Sequence, residues 1–250
     1  MEPKRSNVLF NIPHQYCAGT GCTHGMLTIM LAEIIEELRI RDRAILVGPV
    51  GCSEQIINYL DVDAISGPHG RALSLATAIK RCLPDRIVIT FQGDGDFASI
   101  GIAEAVHTAA RGERICAIWV NNGLYAMTGG QMSVTTLLDQ KTMTTTEGRS
   151  RQFDGAPLHA SEILASIEGS YFITREAVNS KSNKEKCRAS IIKAINLQID
   201  GHGFNVVEVL GTCPTNWHMS PKEAIKRIEQ EVMKEYPLGI KKDLSEAKNE

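Results

Sequence analysis

A chain of 250 residues, 43% of them hydrophobic, with a formal net charge of −2, is long enough to bury one large core and lacks the basic excess of an electrostatic nucleic-acid binder. No run of about 18 apolar residues occurs, so no segment is expected to span a membrane. The opening MEPKRSNVLFNIPHQ holds no apolar stretch long enough for export. That predicts a cytoplasmic protein whose seven cysteines are thiols or metal ligands rather than disulfides.

Residues 25–38 (GMLTIMLAEIIEEL) repeat apolar side chains every three to four positions, with glutamates on the other face, and predict a helix. Residues 43–47 read as a short buried strand, 64–66 as a weaker one, and 71–82 as a helix that stops before Pro84. RIVITF (86–91) and ICAIWV (115–120) are continuous apolar runs, the pattern of parallel strands covered on both faces, with a helix from near Ala98 between them. Residues 133–157 are polar, Thr-rich and aperiodic, as functional or partner-bound loops are. Alternation resumes with a helix at 162–167, a strand at 171–178, a helix at 185–201 and a buried strand at 204–210. A last helix, 221–236, has Pro221 at its start and Ser220 as N-cap. Residues 241–250 read as a charged, frayed tail. The expected organisation is one α/β domain over residues 1–240, a mostly parallel sheet with helices on both faces.

The chemistry concentrates in FQGDGDFASIGIAEAVHTAARGERICAIWVNNGLYAMTGGQ, residues 91–131. One strand ends in Gly93-Asp94-Gly95-Asp96 and the next in Asn121-Asn122, a β-α-β crossover with oxygen ligands at both carboxyl ends. Mg²⁺ takes an octahedron of oxygens, few of them from protein and many from phosphate. Asp94 offers a carboxylate, Asn122 a side-chain carbonyl and Leu124 a backbone carbonyl. Glycines beside Asp94 let phosphates approach main-chain N–H groups, and the following helix points its positive end there. The plainer reading is a Gly-Asp turn and an Asn-Gly turn. GDG alone is weak, but GDGD, a crossover and NN together favour a metal–diphosphate site.

Cys17 and Cys22 flank a Gly-rich turn, CAGTGC, while Cys52 and Cys213 each follow a predicted strand. Loops after parallel strands converge at one edge, so the four suit a [4Fe–4S] cluster, with Gly19, Gly21 and Gly51 leaving room for it. Against this, free cysteines are commonly ordinary buried residues. Cys82, Cys116 and Cys187 read as core. His24 fits either a ligand-facing role or a structural one at a helix start. Trp217 and Met219 either shield a cluster or pack the C-terminal helices.

The order GDG, crossover, NN resembles the thiamine diphosphate signature. NNGLYAMTGGQMSVTT, HGRALSLATAIK, Gly51-Cys52-Ser53 and GTCPTNWHMSP resemble the β subunit of 2-oxoacid:ferredoxin oxidoreductases, the last segment being similar to the branch acting on 2-oxoisovalerate or 2-oxoglutarate. The resemblance covers residues 16–239 in family order. It implies a thiamine diphosphate-binding fold with Mg²⁺ on Asp94, Asn122 and the Leu124 carbonyl. Gly51, Ser53, Gly93, Gly95, Asp96, Thr128 and Gly129 would surround the cofactor, with His69 and Arg71 in the pocket. It also implies a cluster on Cys17, Cys22, Cys52 and Cys213, although the first pair here is C-x-x-x-x-C where the family has C-x-x-C. The implied reaction is oxidative decarboxylation of a 2-oxoacid to acyl-CoA and CO₂, with electrons passing through the cluster to ferredoxin. The implied partners are an α (pyrimidine-domain) subunit, which supplies the activating Glu, with γ and ferredoxin-like δ subunits. The chain is then inactive alone. Two other readings stand beside this one: a thiamine diphosphate-dependent decarboxylase or acyl-transfer subunit lacking a cluster, and an iron–sulfur carrier whose GDG is only a turn.

Overall fold

The computed structural model describes residues 6–12 and 21–245. Cys17 and the last five residues lie outside that range. Seven strands form one sheet: β1 (Ala44–Pro49), β2 (Asp63–Gly67), β3 (Ile87–Gly93), β4 (Cys116–Asn121), β7 (Ser170–Ala177), β8 (Phe204–Leu210) and β9 (Gly239–Asp243). Their order across the sheet is β2-β1-β3-β4-β8-β7-β9, parallel throughout except for β9. A small antiparallel hairpin joins β5 (Leu124–Tyr125) to β6 (Gln131–Met132).

The apolar runs become the buried strands because they are covered from both sides. Ile118 and Val120 of β4 join a core with Leu27, Met30, Ile34 and Ile35 of α1 (Thr23–Glu37) and Ile191 and Ile195 of α6 (Lys181–Ile199). Their neighbours Ala117 and Trp119 point to the opposite face. There they meet Leu73 and Ala76 of α2 (Ala72–Cys82), Ala105 and Ala109 of α3 (Ile102–Ala110), and Leu164 of α5 (Ala160–Ala165). The 133–157 segment is a loop apart from one short helical turn, α4 (Arg151–Asp154). Two further helices, α7 (Pro214–Trp217) and α8 (Pro221–Arg227), continue into a π-turn at Ile228–Val232 and α9 (Met233–Glu235). Ser220 caps α8 with a full capping box closed by Glu223.

The expected mostly parallel α/β architecture is present, with four local corrections. Residues 241–243, the start of the expected frayed tail, belong instead to strand β9, paired antiparallel to β7. It is held by Lys193 on Asp243 and by Lys242, which donates to the Ile167 carbonyl at 2.7 Å. The crossover helix does not begin at Ala98. A π-turn spans Gly95–Ile100, and α3 starts after Gly101, whose N–H donates to the Asp96 carbonyl. Helix α6 starts four residues before the predicted 185, where Ser180 accepts from Asn183 N, in a stretch too polar to show an apolar stripe. Cys82 is exposed at the end of α2, whereas Cys116 and Cys187 are buried as expected.

Strands β2 and β3 lie on opposite sides of β1, so the chain direction across the sheet reverses between β1 and β3. The crevice outside the carboxyl ends at such a switch is where open α/β sheets bind ligands.

Candidate active site

That crevice is a cleft of about 490 Å³. Its walls come from four strand ends: Gly51, Cys52 and Ser53 after β1, His69 after β2, Gly93 to Asp96 at the end of β3, and Asn122 with Leu124 to Thr128 after β4. His24 from α1 closes the floor, and Val50 and Met127, both exposed, stand at the mouth.

Asp94 is buried, and its Oδ2 accepts from the hydroxyls of both Ser133 and Thr135. Burial pushes its carboxyl up to about 6, with those two hydroxyls and the Gly95 amide acting in the opposite direction. A divalent cation at this carboxylate would restore its ionised form. Asn122 sits at the end of the adjacent strand, and its Oδ1 accepts from Leu124 N at 3.1 Å. Its main-chain carbonyl accepts from Trp217 Nε1 at 3.2 Å, so Trp217 braces the site instead of merely filling space. The other half of the NN pair serves a different purpose. Asn121 Nδ2 donates to the buried Glu208 at 2.8 Å, tying the end of β4 into the core.

Asp96 is turned into a separate arrangement. Its Oδ1 meets His69 Nδ1 at 2.6 Å and accepts from Gly70 N at 2.5 Å, and its Oδ2 accepts from Gln92 Nε2 at 2.6 Å. Gly95 is required by packing: an added Cβ would lie 2.5 Å from the Tyr125 ring. His24 meets Ser53 Oγ through Nε2 at 3.0 Å, and burial lowers its pKa to about 4, so it is neutral. No Lys or Arg lines the cleft among the described residues.

Ten of the sequence-predicted cofactor residues therefore line one cleft: Gly51, Ser53, His69, Gly93, Asp94, Gly95, Asp96, Asn122, Leu124 and Thr128. Two do not. Arg71 is not among the lining residues, and its guanidinium pairs with Glu104. Gly129, at a φ of 115°, serves the β5–β6 turn. Ser133 and Thr135 were not legible as site residues, because they follow Asp94 by 39 and 41 positions in a loop without period.

Of the four cysteines, Cys52 lies on the cleft wall, Cys22 is the residue before α1, and Cys213 is the residue before α7. Their neighbours are stitched together: Thr212 N donates to Thr23 Oγ1 at 2.9 Å and Thr212 Oγ1 to the Gly21 carbonyl at 2.6 Å. Cys213 Sγ accepts from Asn216 Nδ2 at 3.4 Å. Among the described residues, no three His, Cys, Asp or Glu side chains gather closely enough to hold a metal. The fourth cysteine, Cys17, lies outside those residues.

Residues 50–209 match the thiamine pyrophosphate enzyme family, C-terminal TPP binding domain. The chain is 34% identical over 220 residues to 2-oxoglutarate synthase subunit KorB of Archaeoglobus fulgidus, covering 88% of this chain and 77% of that one. This chain belongs to the TPP-binding subunits of the 2-oxoacid oxidoreductases. It is also 40% identical over 230 residues to ketoisovalerate oxidoreductase subunit VorA of Methanothermobacter thermautotrophicus, covering 92% of this chain but 48% of that one. It thus spans about half the length of the VorA relatives it matches. The solved 2-oxoglutarate:ferredoxin oxidoreductase from Magnetococcus marinus, with 2-oxoglutarate, coenzyme A and succinyl-CoA bound, has the same fold, with a TM-score of 0.73 at 24% identity over 86% of this chain and 69% of that one. Among the described residues of this 2-oxoacid oxidoreductase subunit, no helix is long and apolar enough to cross a membrane.

Proposed function

We propose that this chain is the thiamine diphosphate-binding subunit of a cytoplasmic oxidoreductase that converts a 2-oxoacid and coenzyme A to acyl-CoA and CO₂, with electrons leaving through a [4Fe–4S] cluster to ferredoxin. The observation that carries the reading is the buried pair Asp94 and Asn122 at adjacent strand ends, beside the switch point, in a cleft that no Lys or Arg lines among the described residues. Mg²⁺ on Asp94, Asn122 Oδ1 and the Leu124 carbonyl would balance both the buried carboxylate and a diphosphate. Gly51, Ser53, Gly93, Gly95 and Thr128 would lie around that diphosphate. Bound thiamine diphosphate supplies the nucleophilic carbon and electron sink that decarboxylation of a 2-oxoacid requires.

The chain's own residues do the holding. Ser133 and Thr135 hold Oδ2 of the Asp94 carboxylate and would orient it as a metal ligand. Neutral His24 keeps the Ser53 hydroxyl on the cleft floor. Val50 and Met127 present apolar surface at the mouth. Among the described lining residues the carboxylates are Asp94 and Asp96, and the activating Glu is expected from an α subunit. Substrates of the 2-oxoisovalerate or 2-oxoglutarate kind follow from the relatives' names, and γ and ferredoxin-like δ subunits complete the assembly.

Cys17, Cys22, Cys52 and Cys213 would ligate the cluster. Support comes from Cys22, Cys52 and Cys213 sharing the carboxyl edge of the sheet and from the Thr23–Thr212 stitch. The alternative, a thiamine-dependent subunit without a cluster, is motivated by the C-x-x-x-x-C spacing of Cys17 and Cys22. Anaerobic purification with the partner subunits, followed by iron, sulfide and thiamine diphosphate assay, separates the two. About four irons per chain beyond those of any ferredoxin-like subunit, together with the cofactor, support the redox enzyme. Cofactor without that iron supports the cluster-free subunit, and neither one overturns both.

A further inference from the structure

The turn that carries Asn122 and Leu124 is soft at its centre. The residue between them is Gly123, at a φ of 71°, and a glycine there fixes no conformation by itself. The turn is set from outside, by side-chain donors on three main-chain carbonyls. Trp217 Nε1 donates to Asn122 at 3.2 Å, Thr136 Oγ1 to Gly123 at 2.6 Å and Asn216 Nδ2 to Ala126 at 2.9 Å. Asn216 and Trp217 both belong to α7, a single turn of helix.

One turn of helix does not hold an indole in place unaided, and α8 supplies a second support. Arg227, the last residue of α8, sets its guanidinium over the Trp217 ring, 4.5 Å from the centroid. Arg227 is buried, and burying a cation costs desolvation that its neighbours must offset. Its one carboxylate partner among the described residues, Glu231 at 3.1 Å, is exposed and offsets little. Its Nη2 donates to Gln140 Oε1 at 2.9 Å, in the same loop that carries Ser133, Thr135 and Thr136. Its other neighbour is the indole face. A cation there draws on the electron density of the ring and polarises Nε1–H toward its acceptor, the Asn122 carbonyl. A stack thus runs from Gln140 through Arg227 and Trp217 to Asn122, and of the four only Asn122 lines the cleft.

We propose that Arg227 is a positioning residue for the metal–diphosphate site, acting from α8 through Trp217 on Asn122 and touching neither metal nor ligand. Gln140 pins the guanidinium, the guanidinium orients and polarises the indole, and the indole N–H fixes the carbonyl of a metal ligand. The inference rests on the reading of Asp94 and Asn122 as metal ligands.

The test is a double-mutant cycle of Arg227→Met and Trp217→Phe in the chain assembled with its partner subunits. The Trp217→Phe variant keeps an aromatic ring and removes the N–H. Two quantities are read: Mg²⁺ affinity at fixed thiamine diphosphate, by isothermal titration, and the melting temperature without ligands. Each single variant is expected to weaken Mg²⁺ affinity by roughly tenfold, as loss of a group that orients a metal ligand does. The double variant should lose little beyond the larger single loss, because the two side chains act in series. Arg227→Lys, which keeps a cation beside the ring, should stay within about threefold of wild type. A purely structural role lowers the melting temperature and leaves Mg²⁺ affinity as it was, and that result overturns the proposal. Losses that multiply in the double variant, or Arg227→Lys as weak as Arg227→Met, overturn it too. If Arg227→Met fails to assemble, Gln140→Met, which removes the anchor of the guanidinium, must weaken Mg²⁺ affinity, and no change again overturns it. Wild-type protein that shows no Mg²⁺-dependent uptake of thiamine diphosphate removes the underlying reading as well. Wild-type uptake with unaltered variants removes only this inference.

Discussion

Asp94 shows how much a single residue's role depends on partners far along the chain. Two hydroxyls from the 133–157 loop hold one of its oxygens. Removing them in a Ser133→Ala/Thr135→Val variant is expected to lower Mg²⁺-dependent thiamine diphosphate affinity by about 10- to 100-fold, the usual cost of losing groups that orient a metal ligand. Isothermal titration reads this directly, and an unchanged affinity would mean that the hydroxyls only fill space. Asp94 and Asn122 were legible in the sequence because two strand ends carried them at a recognisable spacing. Ser133 and Thr135 were not, since nothing in a polar loop announces which hydroxyl folds back. Arg71, which the resemblance puts in the pocket, pairs here with Glu104, a partner that no motif announces.

One side chain, Arg149, bridges several turns of the 133–157 loop. Arg149 is 4% exposed and donates to carbonyls of Val134, Thr136 and Ala156 at 2.9, 2.6 and 2.8 Å, with longer bonds to others nearby. Arg149→Met leaves several of these carbonyls without a donor and should cost on the order of 3 kcal/mol in urea unfolding, with faster proteolysis confined to this loop. Equal stability and equal protease resistance would show that the loop is held by other contacts. Element boundaries follow equally local causes. An alanine at Gly101 would bring its Cβ to 2.4 Å from the Asp96 carbonyl, so the π-turn and α3 meet only through glycine. Gly101→Ala is expected to destabilise by roughly 1–3 kcal/mol. The buried strands, β1, β3, β4 and β8, were readable as apolar runs. β9 was not, because it is held by lysine contacts along an edge and not by an apolar pattern.

At the scale of the molecule, a polar network ties strands β4, β7 and β8 to helix α5. Arg175, with its side chain fully buried, donates to Glu208 at 2.8 Å and forks onto Glu162 at 2.7 and 2.6 Å, while Glu208 also accepts from Asn121 and Ser161. Burial alone would raise the Glu162 carboxyl, but the Arg175 bonds and charge outweigh it and hold the group down to about 2. A carboxyl whose folded pKa is depressed stabilises above its unfolded value of about 4.5, and that contribution disappears as pH falls toward 2. Glu162→Gln should therefore lower the melting temperature at pH 7, with the difference from wild type shrinking below pH 4.5 and vanishing near pH 2. A difference independent of pH would assign the effect to packing. The parallel architecture was legible from the strand–helix alternation. This network was not, since its members are scattered between residues 121 and 208 with no common motif.

The central claim is that Asp94 and Asn122 hold a metal-bound diphosphate at the switch point of the sheet. Titrating thiamine diphosphate into the full chain with its partner subunits, with and without Mg²⁺, for wild type and Asp94→Ala, tests it most directly. The account predicts saturable binding that requires Mg²⁺ and weakens at least about 100-fold in the variant while the ligand-free fold is retained. Binding that is indifferent to Mg²⁺, or equal in Asp94→Ala, would contradict it.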